Sequence, residues 1–127
     1  MPDLLLDTNI LVDIFRGNAA AVAWIKTQSD SNLGISGFTL FEMLQGARNK
    51  NEMLHLKNAL EQFQIFWPSD RDFKKSVNIF VSLFLSHNIE IFDVLIAQTA
   101  IGLDVPLVTL NKKHFEPISG LNIIKPY

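Results

Sequence analysis

Leu4-Leu5-Leu6-Asp7-Thr8-Asn9-Ile10-Leu11-Val12-Asp13-Ile14-Phe15 is the stretch that decides the fold. Its short apolar run ends at Asp7 and reads as a buried strand, and residues from about Asn9 to Phe15 read as a first helix. An acid at such a junction has an ordinary use, since its carboxylate accepts from the free N–H groups of a helix start. It also stands at the carboxyl end of a strand, where ligands bind in sheets that alternate with helices.

The rest of the chain repeats the alternation. Gly17-Asn18 breaks the first helix, and Ala19 to Lys26 continues helically with Val22 and Ile25 on one face. Leu33 to Ser36 follows the turn-forming Asp30-Ser31-Asn32 as a second strand. Two helical patterns come next, Thr39 to Ala47 and Asn51 to Gln62, with Met53, Leu56, Leu60 and Phe63 at helical spacing. Gln64 to Trp67 reads as a strand stopped by Pro68. Ser69 then caps a longer helix with Phe73, Val77, Phe80 and Phe84 on one face. Beyond Asn88 a loop leads to a helix from about Asp93 to Gly102. Pro106 opens a strand over Leu107 to Leu110, where a missing N–H is tolerated, and Asn122 to Ile124 is the last strand. This order predicts an α/β sandwich around a mainly parallel sheet.

The bulk numbers suit one domain. The chain has 127 residues, no internal repeat and no linker-like tract, so residues 1–127 are expected to fold together. Its 48% hydrophobic content and ten Phe supply a core and leave apolar surface for a partner. With no cysteine, disulfides, thiolate zinc sites and a cysteine nucleophile are excluded, which agrees with a cytoplasmic location. A net charge of -2 argues against a broadly basic coat for nucleic acid. No run reaches the roughly 18 apolar residues of a membrane span, and the start lacks the pattern of a signal peptide.

Four polar positions stand out against these apolar elements. Asp7 is a helix cap or a site acid. Glu42 fits a T-x-x-E capping box with Thr39, in which the Glu reaches back to the cap N–H. It is also the only charge between Asp30 and Arg48, and burying such a carboxylate without a partner costs several kcal/mol. Asp93 lies between Phe92 and Val94 in an apolar helix start, where the helix dipole favours an acid by roughly 0.3–1 kcal/mol. Asn111 follows Leu107-Val108-Thr109-Leu110 as a turn residue or a site amide. Asp13 and Glu90 read as auxiliary or solvated. Of His55, His87 and His114, only His114 is expected near these groups. Taken singly each acid has an ordinary account; their order and spacing set them apart.

Four segments carry a resemblance to a known family. They are Leu5 to Asp13, Thr39-Leu40-Phe41-Glu42-Met43-Leu44-Gln45-Gly46-Ala47, Phe92-Asp93-Val94-Leu95-Ile96-Ala97-Gln98-Thr99-Ala100, and Leu107-Val108-Thr109-Leu110-Asn111-Lys112-Lys113-His114-Phe115. In these the chain resembles the PIN domains, and more narrowly the VapC-type toxins of bacterial toxin–antitoxin pairs, from residue 4 to about residue 124. The resemblance implies a three-layer α/β/α sandwich and cleavage of RNA phosphodiester bonds with Mg2+ or Mn2+. It places Asp7, Glu42 and Asp93 in the acidic centre with Asn9 and Thr109 in support; on that basis Asp7 and Asp93 are expected to hold the metal, Glu42 to position or deprotonate the attacking water, and Asn111 to offer an amide oxygen. Where this chain has Asn111 many members carry a fourth acid and others carry Asn, which puts a second tightly held metal in doubt. Arg16, Arg48, Lys112 and Lys113 are the candidate RNA contacts, with transfer or ribosomal RNA as the substrate. The family also implies a homodimer and a small antitoxin partner. The antitoxin is expected on the surplus apolar residues of Phe38–Leu44 and Met53–Phe63, where Phe41 and Leu60 are the test positions.

The physics agrees with a cation. Two carboxylates about 6 Å apart repel by roughly 3 kcal/mol at an effective dielectric of about 20. Mg2+ relieves such repulsion while keeping several waters. Among competing readings, a haloacid-dehalogenase-like phosphatase needs Asp-x-Asp where this chain has Asp7-Thr8-Asn9. A response-regulator receiver needs a phospho-accepting Asp after a middle strand, where Pro68-Ser69-Asp70 reads as a helix cap. A nucleotide-binding module needs a glycine-rich loop that is missing. A non-catalytic PIN scaffold remains the alternative.

Overall fold

A computed structural model describes all 127 residues. Five strands form one wholly parallel sheet in the order β3-β2-β1-β4-β5. They are β1 (Leu4–Leu6), β2 (Leu33–Ser36), β3 (Gln64–Phe66), β4 (Leu107–Val108) and β5 (Ile123–Ile124). The helices are α1 (Thr8–Phe15), α2 (Ala19–Lys26), α3 (Gly37–Gln45), α4 (Lys50–Leu60), α5 (Asp70–His87), α6 (Ile91–Leu103) and α7 (Lys112–Phe115). No helix is long and apolar enough to cross a membrane.

The central strand explains its own sequence. Neighbouring residues of a strand point to opposite faces, and in β1 both faces are covered. Leu5 joins Val94, Ile96, Ala97 and Leu107 in one core, whereas Leu6 joins Ile10, Leu11, Ile35 and Val108 in the other. Leu107 and Val108 of β4 divide in the same way. A strand buried on both faces has no polar face to alternate with, hence three leucines. Register is fixed by Leu5 against Gly34 on one side and Leu107 on the other.

The strand order also sets where a site can form. From β1 the chain moves outward through β2 and β3, then returns to place β4 on the opposite flank of β1. The connections therefore diverge between β1 and β4, and a crevice opens beyond their carboxyl ends. Asp7 follows β1 there, and Thr109 follows β4.

Three expectations are corrected. The strands after Pro106 and before Lys125 are shorter than read, and Thr109 and Leu110 lie outside β4. The capping box of Thr39 and Glu42 does not form. Helix α3 starts two residues earlier, its cap is Ser36, whose hydroxyl accepts from Phe38 N at 3.1 Å, and Thr39 is buried inside its first turn. The shared face of Phe73, Val77, Phe80 and Phe84 on α5 is mostly turned outward, with Val77 60% exposed, while Ser76 is the residue that α5 buries. Ser69 does cap α5, in a reciprocal pair with Asp72 at 3.1 Å each way.

Candidate active site

Asp7 is 4% exposed. Its Oδ1 accepts from the Thr8 N–H at 2.8 Å, so it does cap α1. Its Oδ2 accepts from Thr109 Oγ1 at 2.7 Å and from Asn9 Nδ2 at 3.3 Å. Thr109 is fully buried, and its hydroxyl also accepts from the Asn111 N–H at 3.0 Å and from Asn9 Nδ2 at 3.3 Å. Its one proton is thus directed at Asp7. Asn9 Oδ1 accepts in turn from Leu110 N at 3.3 Å, which ties α1 to the chain beyond β4. Asn9 and Thr109 thus both donate to the same oxygen of Asp7.

Glu42 projects from α3 toward α1, where its Oε1 accepts from Thr8 Oγ1 at 2.7 Å. Asp93 lies in the first turn of α6, and its Oδ2 is 3.6 Å from Nδ1 of His114 on α7. Asp7, Glu42, Asp93, Asn111 and His114 line one cleft of about 380 Å³. Asp13 and Glu90 line it as well, and Asp13 Oδ2 accepts from the Tyr127 hydroxyl at 2.8 Å.

The electrostatics are unbalanced toward negative charge. Burial raises the pKa of Asp7 from 3.8 to about 6, against the bonds from Thr109 and Thr8, and the nearby Asp93 raises it further. Glu42 is raised by burial and then, despite Thr8, by Asp7 and Glu90. Asp93 is raised by burial and then by Glu42 and Glu90, with His114 acting in the opposite sense. No Lys or Arg forms an ion pair with any of the three; the His114 imidazole is the sole basic neighbour within 4.0 Å. Carboxylates so placed are stabilised by a cation from outside the chain.

The basic residues divide. Lys112 and Lys113 sit on α7 next to Asn111 and His114, and Lys113 lines a recess that also contains Asp93. Arg16 and Arg48 do not line the cleft, and Arg48 is paired with Glu52 at 3.2 Å. Leu60 is fully buried, so it belongs to the core rather than to a groove, whereas Phe41 is half exposed. Two features are not readable in the sequence. Thr8 is there one letter of a motif, yet in the fold it anchors Glu42. Helix α7 has four residues, too few to show a period.

The geometry has known counterparts. The sequence profile of the PIN domain matches residues 4–120. Ribonuclease VapC10 of Mycobacterium tuberculosis is 31% identical over 114 residues, spanning 88% of this chain and 85% of that protein. Ribonuclease VapC3 of Methanocaldococcus jannaschii is 32% identical over 81 residues, spanning 64% of this chain and 79% of that protein. Among solved structures, a toxin–antitoxin complex from Klebsiella pneumoniae contains a chain that superposes with a TM-score of 0.78 at 29% identity, over 98% of each chain. The chain belongs to the PIN-domain family. The two relatives named above are VapC ribonucleases.

Proposed function

We propose that this protein is a divalent-metal-dependent endoribonuclease and the toxin of a toxin–antitoxin pair, folded as one PIN domain over residues 1–127 and acting in the cytoplasm. One observation carries the reading. Three carboxylates, from the start of α1, from α3 and from α6, face a single cleft at the point where the sheet connections diverge. All three have raised pKa values and none is paired with Lys or Arg. Its VapC relatives and the toxin–antitoxin neighbour support it.

The donor set fits a hard cation. Its oxygens are carboxylates and an amide, which suit Mg2+ or Mn2+. No three acidic or imidazole side chains converge closely enough to enclose an ion by themselves. Mg2+ tolerates that arrangement, because it keeps several waters and takes only one or two carboxylates directly. Asp7 and Asp93 would hold the ion, directly or through water. When bound, such an ion supplies charge for the phosphate oxygens and acidifies water. Glu42, held by the Thr8 hydroxyl, would orient the attacking water and take its proton, and burial, by raising its pKa, makes it a stronger base than an ordinary carboxylate. Asn9 and Thr109 keep Asp7 in place. Asn111 offers an amide oxygen without charge, so one tightly held ion is expected.

Two further surfaces suit protein partners. Phe41, Trp67, Phe73 and Val77 are exposed, and Trp67 stacks edge-on against both Phe38 and Phe41 at 5.9 and 5.8 Å. We assign the homodimer contact to this patch, since large aromatic side chains left in water mark an interface. Met53 and Leu54 on α4 are exposed separately and would receive an apolar helix of the antitoxin.

The test is cleavage of purified transfer RNA and ribosomal RNA with Mg2+ or Mn2+, beside a chelator control and the Asp93→Asn protein. Discrete fragments that need both metal and Asp93 are expected, and mapping their ends names the target. Equal cleavage by Asp93→Asn refutes the assignment. No cleavage by the unaltered protein on any RNA leaves a non-catalytic PIN scaffold.

A further inference from the structure

The acidic cleft does not end at its acids. Asn111 and His114 line it, and the same two side chains line a second hollow of about 490 Å³ whose other walls include Lys112, Lys113 and Lys125. None of these three lysines is within ion-pair distance of a carboxylate, although Glu116 also lines the hollow. Lys125 comes from beyond β5, so two separate parts of the chain deliver positive charge to one place.

The remaining surroundings are unfavourable to a polyanion. Glu42, Asp13 and Glu90 face the cleft from the other elements. The hollow formed by Ser31, Asn32, Gln62 and Gln64 carries no basic side chain, and neither does the one beside Asn78 and Ile118. A chain of net charge -2 gains nothing from its overall field in attracting RNA. Attraction must come from a local patch, and the free patch contiguous with the acids is the one behind α7.

We infer that the RNA strand leaves the cleft over α7, with its backbone phosphates running across Lys112, Lys113 and Lys125 and its path bending at Asn111 and His114. This rests on the ribonuclease reading and gives it a direction. Lys125 is a substrate-binding residue in this account, although it lies 32 residues along the chain from Asp93 and outside every acidic motif.

Charge lost from an RNA contact shows in the salt dependence of binding. Each lysine that meets a phosphate adds roughly 0.7 to the slope of log affinity against log salt for a single strand. The experiment measures anisotropy of a labelled single-stranded oligoribonucleotide in the Asp93→Asn background, where the probe is not cut. The triple variant Lys112→Gln, Lys113→Gln, Lys125→Gln is compared with Lys26→Gln, Lys50→Gln, Lys75→Gln, which removes the same charge from exposed sites elsewhere. The α7-side triple is expected to lose about 2 from the slope. The parent should then weaken about 20-fold more than that triple between 50 and 200 mM salt. The distant triple should keep the parent slope. Equal slopes for the parent and the α7-side triple, or the same loss in both triples, overturn the path while leaving the ribonuclease reading intact. Failure of the unaltered protein to bind or cut any RNA overturns both.

Discussion

Replacing Asp7 by Asn should stabilise the metal-free protein, relative to the unaltered chain, increasingly as pH rises from acid to neutral. Burial favours the neutral carboxyl of Asp7 and raises its pKa from 3.8 to about 6 in the folded state. Below the unfolded value the carboxyl is protonated in both states and folding carries no penalty. As pH rises through the folded value, the native chain must hold a charge that the unfolded chain holds more easily, so stability is lost. Between about pH 4 and about pH 7.5 the loss from this one group is roughly 2.5 kcal/mol. That is a large fraction of the 5–15 kcal/mol typical of a domain. Glu42 and Asp93 are raised and add in the same sense, whereas Asp72 is lowered and acts in the opposite one. Comparing Asp7→Asn with the unaltered chain cancels the parts of those contributions that do not depend on the Asp7 charge, and the rest acts in the same sense, because Asp7 raises Glu42. Any constant cost of presenting an amide to Thr109 and Asn9 offsets that difference equally at every pH, so its change with pH is the quantity that reports the burial. The assay is urea unfolding followed by circular dichroism in chelator, at several pH values. The stability of the Asp7→Asn protein, taken relative to the unaltered chain, should rise by roughly 2.5 kcal/mol from the acid end of that range to the neutral end. A difference that is flat with pH, or one that favours the natural carboxylate as pH rises, refutes the burial argument.

Four other substitutions probe separate links. Thr109→Val keeps the shape but leaves Asp7 Oδ2 without its hydroxyl donor and Asn111 N without its acceptor; it should cost roughly 1–3 kcal/mol and move the acid limb of the pH–rate profile upward. Thr8→Val frees Glu42; kcat should fall roughly 10–100-fold with RNA affinity little changed, and an unchanged kcat would remove Glu42 from the proton transfer. Leu60→Ala should destabilise by about 2–5 kcal/mol in urea because the side chain is fully buried. Phe41→Ser should instead leave the chain folded and shift it toward monomer in sedimentation velocity, and a persistent dimer would move the contact away from the aromatic patch.

What the sequence made legible follows from what each signal physically reports. The leucine run of β1 could be read because a strand covered on both faces has no polar face, and Asp7 could be read because a strand-to-helix junction needs a cap and opens a crevice. The three acids were legible by their setting, since a lone carboxylate among Phe and Leu needs an account. Periodicity was less informative. It shows which residues share a face, yet Phe73, Val77 and Phe84 share the face that α5 turns outward, and nothing local to the helix says which side meets α6. The capping box failed for a similar reason. Ser36 and Thr39 are both good caps, and the choice fell to Ser36 because β2 ends there, which released Glu42 to reach Thr8 across 34 positions. Lys125 and Tyr127 joined the neighbourhood of the site only through the return of β5, a placement that no spacing in the sequence encodes.

The central claim is that the raised carboxylates of one cleft form a divalent-cation site. Calorimetric titration of Mn2+ into the purified protein at about pH 6, in two buffers of different ionisation heat, tests it most directly. Because a carboxyl with a pKa of about 6 is half protonated there, binding should release protons. The account predicts one ion per chain, a buffer-dependent heat that reports that release, and loss of binding in both Asp7→Asn and Asp93→Asn. Absence of binding, or binding that survives unchanged in both variants, would contradict it.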